Sequence, residues 1–132
     1  VTGTVAVTGT LTSAGTTTNT PATPTTSQIS SAATTNATSV KASAGTIYSI
    51  WVSNTGGAAA YLKLYNKASA PTVGTDVPVL TITVPAGGTI GLTSDMGQRF
   101  TTGIALAITD LAADSDTTVV AAAQVKVSTA YI

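Results

Sequence analysis

Short segments of alternating apolar and polar residues, separated by Gly, Pro and Asn, recur along residues 39–132 at intervals of roughly 10–14 residues. In the segment 79–84 the alternation is strict, with Leu80, Ile82 and Val84 on one face. The best helical rival is the Ala-rich segment 111–123, but turn-forming and β-branched residues interrupt it. The sequence therefore predicts an all-β fold, an antiparallel β-sandwich or jelly-roll-like domain with an extended N-terminal arm.

The alternation also predicts which side chains face the core. In the segment 46–53 it places Tyr48, Ile50 and Val52 on one face and Ile47 and Trp51 on the other. In the segment 58–66 it places Leu62 and Leu64 inward and Tyr61, Lys63 and Tyr65 outward.

Residues 1–38 differ in composition from the rest of the chain and include no charged side chain. We interpret them as an extended Thr/Ser/Ala-rich arm and residues 39–132 as the β-sandwich domain. The arm is expected to pack on its own sandwich or on a neighbouring subunit, the alternative being a plain surface loop. Its first stretch reads as a half-buried strand, and its apolar side chains are predicted to face a partner or the core: Val1, Val5, Val7 and Leu11. Deleting the whole arm is expected to leave a folded sandwich.

The charge balance excludes some classes of partner. Charged residues make up only 8% of the chain and the formal net charge is zero, against about a quarter charged residues in ordinary domains. Nucleic-acid binding relies on clustered Lys and Arg, which are scattered here. No run of apolar residues is long enough for a membrane span. A nearly neutral surface repels its own copies weakly, which favours a part within an assembly.

The chain has no Cys, His or Glu, the residues on which most acid–base, nucleophilic and metal chemistry depends. Three carboxylates, Asp110, Asp114 and Asp116, could supply oxygens to Ca²⁺. Their spacing matches no calcium motif, and Asp is a standard turn residue, so turn chemistry is the favoured interpretation. We predict no catalytic residue, no cofactor and no metal, and hence no enzyme.

Two tyrosines on one predicted strand face, Tyr61 and Tyr65, are interleaved with Lys63 and Lys67. Such a face could stack on sugars or on the bases of single strands. Structural packing is the favoured alternative, and a protein interface at Tyr61 and Tyr65 is the favoured functional use.

Two segments carry a resemblance to a known group of proteins. Residues 60–88 (AYLKLYNKASAPTVGTDVPVLTITVPAGG) and 103–118 (GIALAITDLAADSDTT) resemble small β-sandwich proteins encoded among the virion structural genes of tailed bacteriophages and prophages. The resemblance covers roughly residues 41–132, brings no catalytic residues with it and leaves out the arm.

The resemblance implies a non-enzymatic structural protein of the virion, assembled in the host cytoplasm. The favoured role is a capsid decoration (cement) protein that bridges capsomers as a homo-oligomer, with a trimer favoured. Its partners would be the major capsid protein or other virion proteins, with no nucleic acid and no membrane. The first alternative is a tail or fibre subunit. An alternative of another class is a carbohydrate-binding or adhesin module that uses Tyr61 and Tyr65.

Overall fold

A computed structural model describes residues 22–132 of the chain. These residues form eight strands: β1 (Thr25–Ser30), β2 (Thr38–Lys41), β3 (Gly45–Asn54), β4 (Ala60–Asn66), β5 (Leu80–Val84), β6 (Thr89–Phe100), β7 (Ile104–Thr109) and β8 (Val125–Tyr131). There is no helix in this part of the chain. The segment 111–123, which was the best rival for a helix, consists of two turns joined by irregular backbone.

The strands form two antiparallel four-stranded sheets, which we call sheet I and sheet II. Sheet I has the order β1-β8-β3-β6, and sheet II has the order β2-β7-β4-β5. Successive strands alternate between the sheets, except that β4 and β5 are neighbours in sheet II. This order is that of a jelly roll. The predicted all-β antiparallel sandwich of jelly-roll type is therefore confirmed.

The first strand lies within the range predicted as an arm. β1 pairs with β8 over six residues, from Thr25 opposite Tyr131 to Ser30 opposite Lys126, and Ile29 packs against the core. Within residues 22–132 the first strand of the sandwich is thus Thr25–Ser30, ahead of the predicted boundary at residue 39. A deletion of residues 1–38 would remove this strand from sheet I, so we expect it to destabilise the sandwich, in place of the folded sandwich that the sequence predicts.

The core lies between the two sheets and consists of side chains with little or no exposure, among them Ile50, Val52, Leu62, Leu64, Phe100, Leu106, Ile108 and Val127. The prediction that Leu62 and Leu64 point inward is confirmed. All six residues of β7 are buried, because loops cover the outer face of this central strand. A strand covered on both faces is expected to read as a continuous apolar run, as Ile104–Ile108 does.

One face assignment in β3 is wrong. Ile47 is buried in the core together with Ile50 and Val52, whereas it was predicted on the opposite face with Trp51. The pairing of β3 with both of its neighbours skips Tyr48, so Tyr48 is the extra residue of a β-bulge. A bulge shifts the alternation by one residue, which brings Ile47 onto the core face.

Candidate functional site

An apolar groove opens along one side of the sandwich, between the edge strands β5 and β6. Both sheets contribute to it, with a volume of about 190 Å³. We call it the edge groove, and its lining residues are Ile47, Tyr48, Ser49, Ile50, Leu64, Leu80, Leu92, Thr93, Ser94, Gly97 and Gln98. None of these side chains is charged. The groove therefore attracts no ion, and its chemistry suits an apolar, uncharged occupant.

Exposed apolar side chains are concentrated near this side of the sandwich. Of the eight large exposed apolar residues in the described part of the chain, five lie in the segments 77–80 and 92–96. Leu80 is 38% exposed and Leu92 is 43% exposed, and both line the groove. Met96 is 91% exposed. It is one of four consecutive residues of β6, 94–97, that have no partner in β3 where the pairing skips Tyr48. Grouped exposed apolar residues mark contact surfaces more often than scattered ones do.

The strands that border the groove are also unpaired on one side. In the described residues β5 pairs only with β4, and β6 pairs only with β3. Each outer edge therefore presents backbone N–H and C=O groups that another strand can pair with. Apolar side chains and free backbone groups together make this side of the sandwich suited to receive an extended segment.

The positions Val1, Val5, Val7 and Leu11, which were predicted to face a partner, lie outside the described residues. Tyr61 is partly exposed on the outer face of sheet II. Tyr65 is only 1% exposed, because it packs with Ala105, Ala107 and Val73 of its own chain. The side chain of Tyr65 is therefore not on the surface of this chain, although it points outward from the sheet as predicted.

The connection between β4 and β5 helps to cover Tyr65. Lys67 and Asp76 form an ion pair across this connection, and the backbone N–H of Thr72 donates to Asp76 Oδ2 at 2.7 Å. The hydrogen bond from Lys67 and then that from Thr72 hold the pKa of Asp76 below its usual range. Burial, and after it the negative charges of Asp114 and Asp76, raise the pKa of Tyr65. Its hydroxyl has no hydrogen-bond partner in the described residues.

Lys63 is also fully buried on the outer face of sheet II. Its ammonium group donates to the carbonyl oxygen of Ala113 at 2.5 Å, in the connection between β7 and β8. A buried amine without a partner would be strongly destabilising, so this bond ties the connection to the sheet. Lys63 therefore has a structural role in holding the covering loop.

Of the three carboxylates considered as Ca²⁺ ligands, Asp116 stabilises the turn that follows β7. Asp116 accepts hydrogen bonds from the backbone N–H groups of Leu111 and Thr118 and from the hydroxyl of Thr118. Burial disfavours its charged form, but these hydrogen bonds outweigh burial and lower the pKa of Asp116. Residues 22–132 contain no group of three acidic side chains close enough to hold a metal ion.

Trp51 is the exposed aromatic residue that the sequence reasoning passed over. It lies on the outer face of sheet I, opposite Gly91 on one neighbouring strand and Ser128 on the other, and is 55% exposed. A Cβ atom added at Gly91 would lie 2.6 Å from Cζ3 of Trp51, so the indole lies against the backbone of β6. The residues that share this face next to it include four hydroxyl side chains, Ser49, Ser53, Thr89 and Thr93. On the side of β8, the exposed Lys126 lies opposite Ser53 on the same face.

The edge groove was also missed. The alternation of Leu80 and Leu92 marks the inward face of two strands, but it does not show that both strands lie at sheet edges.

No protein family, curated protein or solved structure matches this chain. Within residues 22–132 there is no helix long and apolar enough to cross a membrane.

Proposed function

We propose that this chain is a non-enzymatic virion structural protein, a capsid decoration protein that stabilises the head by bridging capsomers as a homo-oligomer. The observation that carries the proposal is the edge groove, where exposed apolar side chains lie between two unpaired strand edges. Such a surface is suited to permanent contact with other protein. The assignment to a phage particle comes from the resemblance of residues 60–88 and 103–118 to phage virion proteins.

The composition supports a contact role. With a formal net charge of zero, copies of the chain repel each other weakly and can lie closely packed on a particle. Strand pairing at an edge uses backbone groups, so it tolerates many partner sequences. Complete burial of Leu80 would contribute roughly 2 kcal/mol to the binding free energy, given the area that it still exposes, and complete burial of Leu92 would contribute about the same.

The proposal is tested by binding to virions of the genome that encodes the chain. Leu80→Ser and Leu92→Ser, made in the full chain, are expected to lower the occupancy on particles that lack the native protein. Leu111→Ser is the matched control, because Leu111 is 57% exposed but lies in the connection between β7 and β8. Unchanged occupancy of both groove variants would contradict the proposal. Negative-stain images of labelled protein distinguish a head protein from a tail or fibre subunit.

A second function, carbohydrate binding, is favoured by one observation. Trp51 presents an exposed indole next to hydroxyl side chains and to the exposed Lys126, and such a surface can stack on a pyranose ring while the polar groups bind its hydroxyls. This moves the carbohydrate hypothesis from Tyr61 and Tyr65 to Trp51. Trp51 is the only tryptophan in the sequence, so its fluorescence reports binding directly. A shift on adding a neutral polysaccharide, lost in Trp51→Ala, would support this function over the structural one.

A further inference from the structure

We propose that the edge groove receives the segment Val1–Leu11 of a second copy of this chain, so that each copy inserts a strand into its neighbour. The inference rests on the proposed function, because it names the partner at the same contact surface. It is nevertheless tested on the isolated protein, without particles.

The groove has the properties of an acceptor for one strand. Its two bordering strands, β5 and β6, have unpaired outer edges in the described part of the chain. Leu80 and Leu92 face the gap between these strands and remain partly exposed. An added strand at either edge would pair with free backbone groups and cover both leucines with the side chains of one face.

The segment 1–11 has the matching pattern. Its odd positions carry only aliphatic residues and glycine, namely Val1, Gly3, Val5, Val7, Gly9 and Leu11. Its even positions carry four threonines and one alanine. Period-two alternation of this kind gives a strand one apolar face and one hydroxyl face. The segment has no charged side chain, so it can enter the uncharged groove without burying an ion.

The place where the chain enters the sandwich favours a second copy as the source. Thr25 begins β1 at one edge of sheet I and lies in the same row as Tyr131, Ile47 and Gln98. The groove opens at the other edge, three strand spacings or roughly 14 Å away. To fill its own groove, the chain would have to cross the end of sheet I from the edge at β1 to the edge at β6, whereas a neighbouring copy can present its groove next to Thr25.

The length of the connecting segment is sufficient for exchange. Residues 12–24 are thirteen residues between Leu11 and Thr25, and an extended chain of this length spans roughly 43 Å. That reach exceeds the width of one sheet, so the segment can arrive at the groove of an adjacent copy. An arm inserted head to tail in this way generates a closed ring when the rotation permits, such as a trimer.

Disulfide trapping tests the placement, since the chain contains no native cysteine. Nitrogen-15-labelled Val7→Cys protein is mixed with unlabelled Leu80→Cys protein under oxidising conditions, and cross-linked species are identified by mass. A mixed dimer is expected from this pair. The control pair uses Thr8→Cys with Leu80→Cys, because Thr8 lies on the other face of the segment. A mixed dimer no more abundant than in the control would overturn the proposal.

The double variant Val7→Cys/Leu80→Cys distinguishes the two possible sources of the segment. A cross-link between chains is expected, whereas a cross-link within one chain would show that the groove is filled by its own segment and would overturn the exchange.

Light scattering of the full chain gives a second readout. The full chain is expected to be oligomeric. The variant Val5→Asp/Val7→Asp is expected to raise the dissociation constant about a hundredfold, since each carboxylate would enter an apolar groove. Thr4→Asp/Thr8→Asp, with its charges on the other face, is expected to leave the oligomer intact. Equal masses for the two variants would contradict the proposal. Because no particle is involved, this result is independent of whether the protein binds a capsid.

Discussion

The hydroxyl of Ser31 is expected to contribute measurably to the stability of the sandwich. Ser31 follows β1 and is only 4% exposed. Its Oγ donates to the carbonyl oxygen of Ala121 at 2.8 Å and accepts from the backbone N–H of Val125 at 3.0 Å. These bonds join the end of β1 to the start of β8, about ninety residues later in the chain.

The change Ser31→Ala removes both hydrogen bonds and leaves the N–H of Val125 buried without that partner. The lost bond to Ala121 costs about 1 kcal/mol, and leaving the buried N–H of Val125 unsatisfied costs about 1–3 kcal/mol. The free energy of unfolding is therefore expected to fall by about 2–4 kcal/mol. For a domain of this size such a loss lowers Tm by roughly 7–14 °C.

The measurement is urea unfolding of the full chain at pH 7, followed by circular dichroism or Trp51 fluorescence. Ser30→Ala is the matched control, since Ser30 is the exposed neighbour and is expected to change stability by less than about 0.5 kcal/mol. A Ser31→Ala variant as stable as the control would refute the reasoning, because it would mean that residues before 39 are not tied to the sandwich as described.

Three further predictions concern other parts of the fold. Folding lowers the pKa values of Asp76 and Asp116, so their ionised carboxylates stabilise the folded state at pH values above the unfolded pKa of about 4. This stabilisation is lost as the pH falls through the pKa values of the folded state. The urea midpoint of the wild type should therefore fall between pH 5 and pH 2, and that of a variant with Asn at both positions should fall less. Gly97→Ala should destabilise by more than Gly87→Ala in thermal melts: both have positive φ, but a Cβ only at position 97 would overlap neighbouring atoms. Tyr65→Phe should leave the free energy of unfolding in urea unchanged or raise it, because it removes a buried hydroxyl that has no partner in the described residues, and a decrease of more than about 1 kcal/mol would contradict this.

Local pattern was enough to predict most of the strands after residue 39 and the turns between them. The alternation of segment 79–84 placed β5 within one residue, and the turn at 85–88 follows it as expected. Side-chain direction along a regular strand depends only on the period of two, so Leu62 and Leu64 were correctly predicted to face inward. Where a bulge breaks the period, as at Tyr48, the same rule gave the wrong face for Ile47.

The sequence by itself therefore determined the fold class, most of the strand positions after residue 39, the outward direction of Tyr65 and the turn role of Asp116. Only the tertiary structure decided that Tyr65 is covered, that residues 25–30 are a strand of the sandwich, and that β5 and β6 lie at sheet edges. These properties depend on strand order and on loops far apart in sequence, and pairing energies that act between distant segments leave no local pattern. The edge groove exists for this reason: its leucines alternate like any core residues, and only the order of the strands leaves them open.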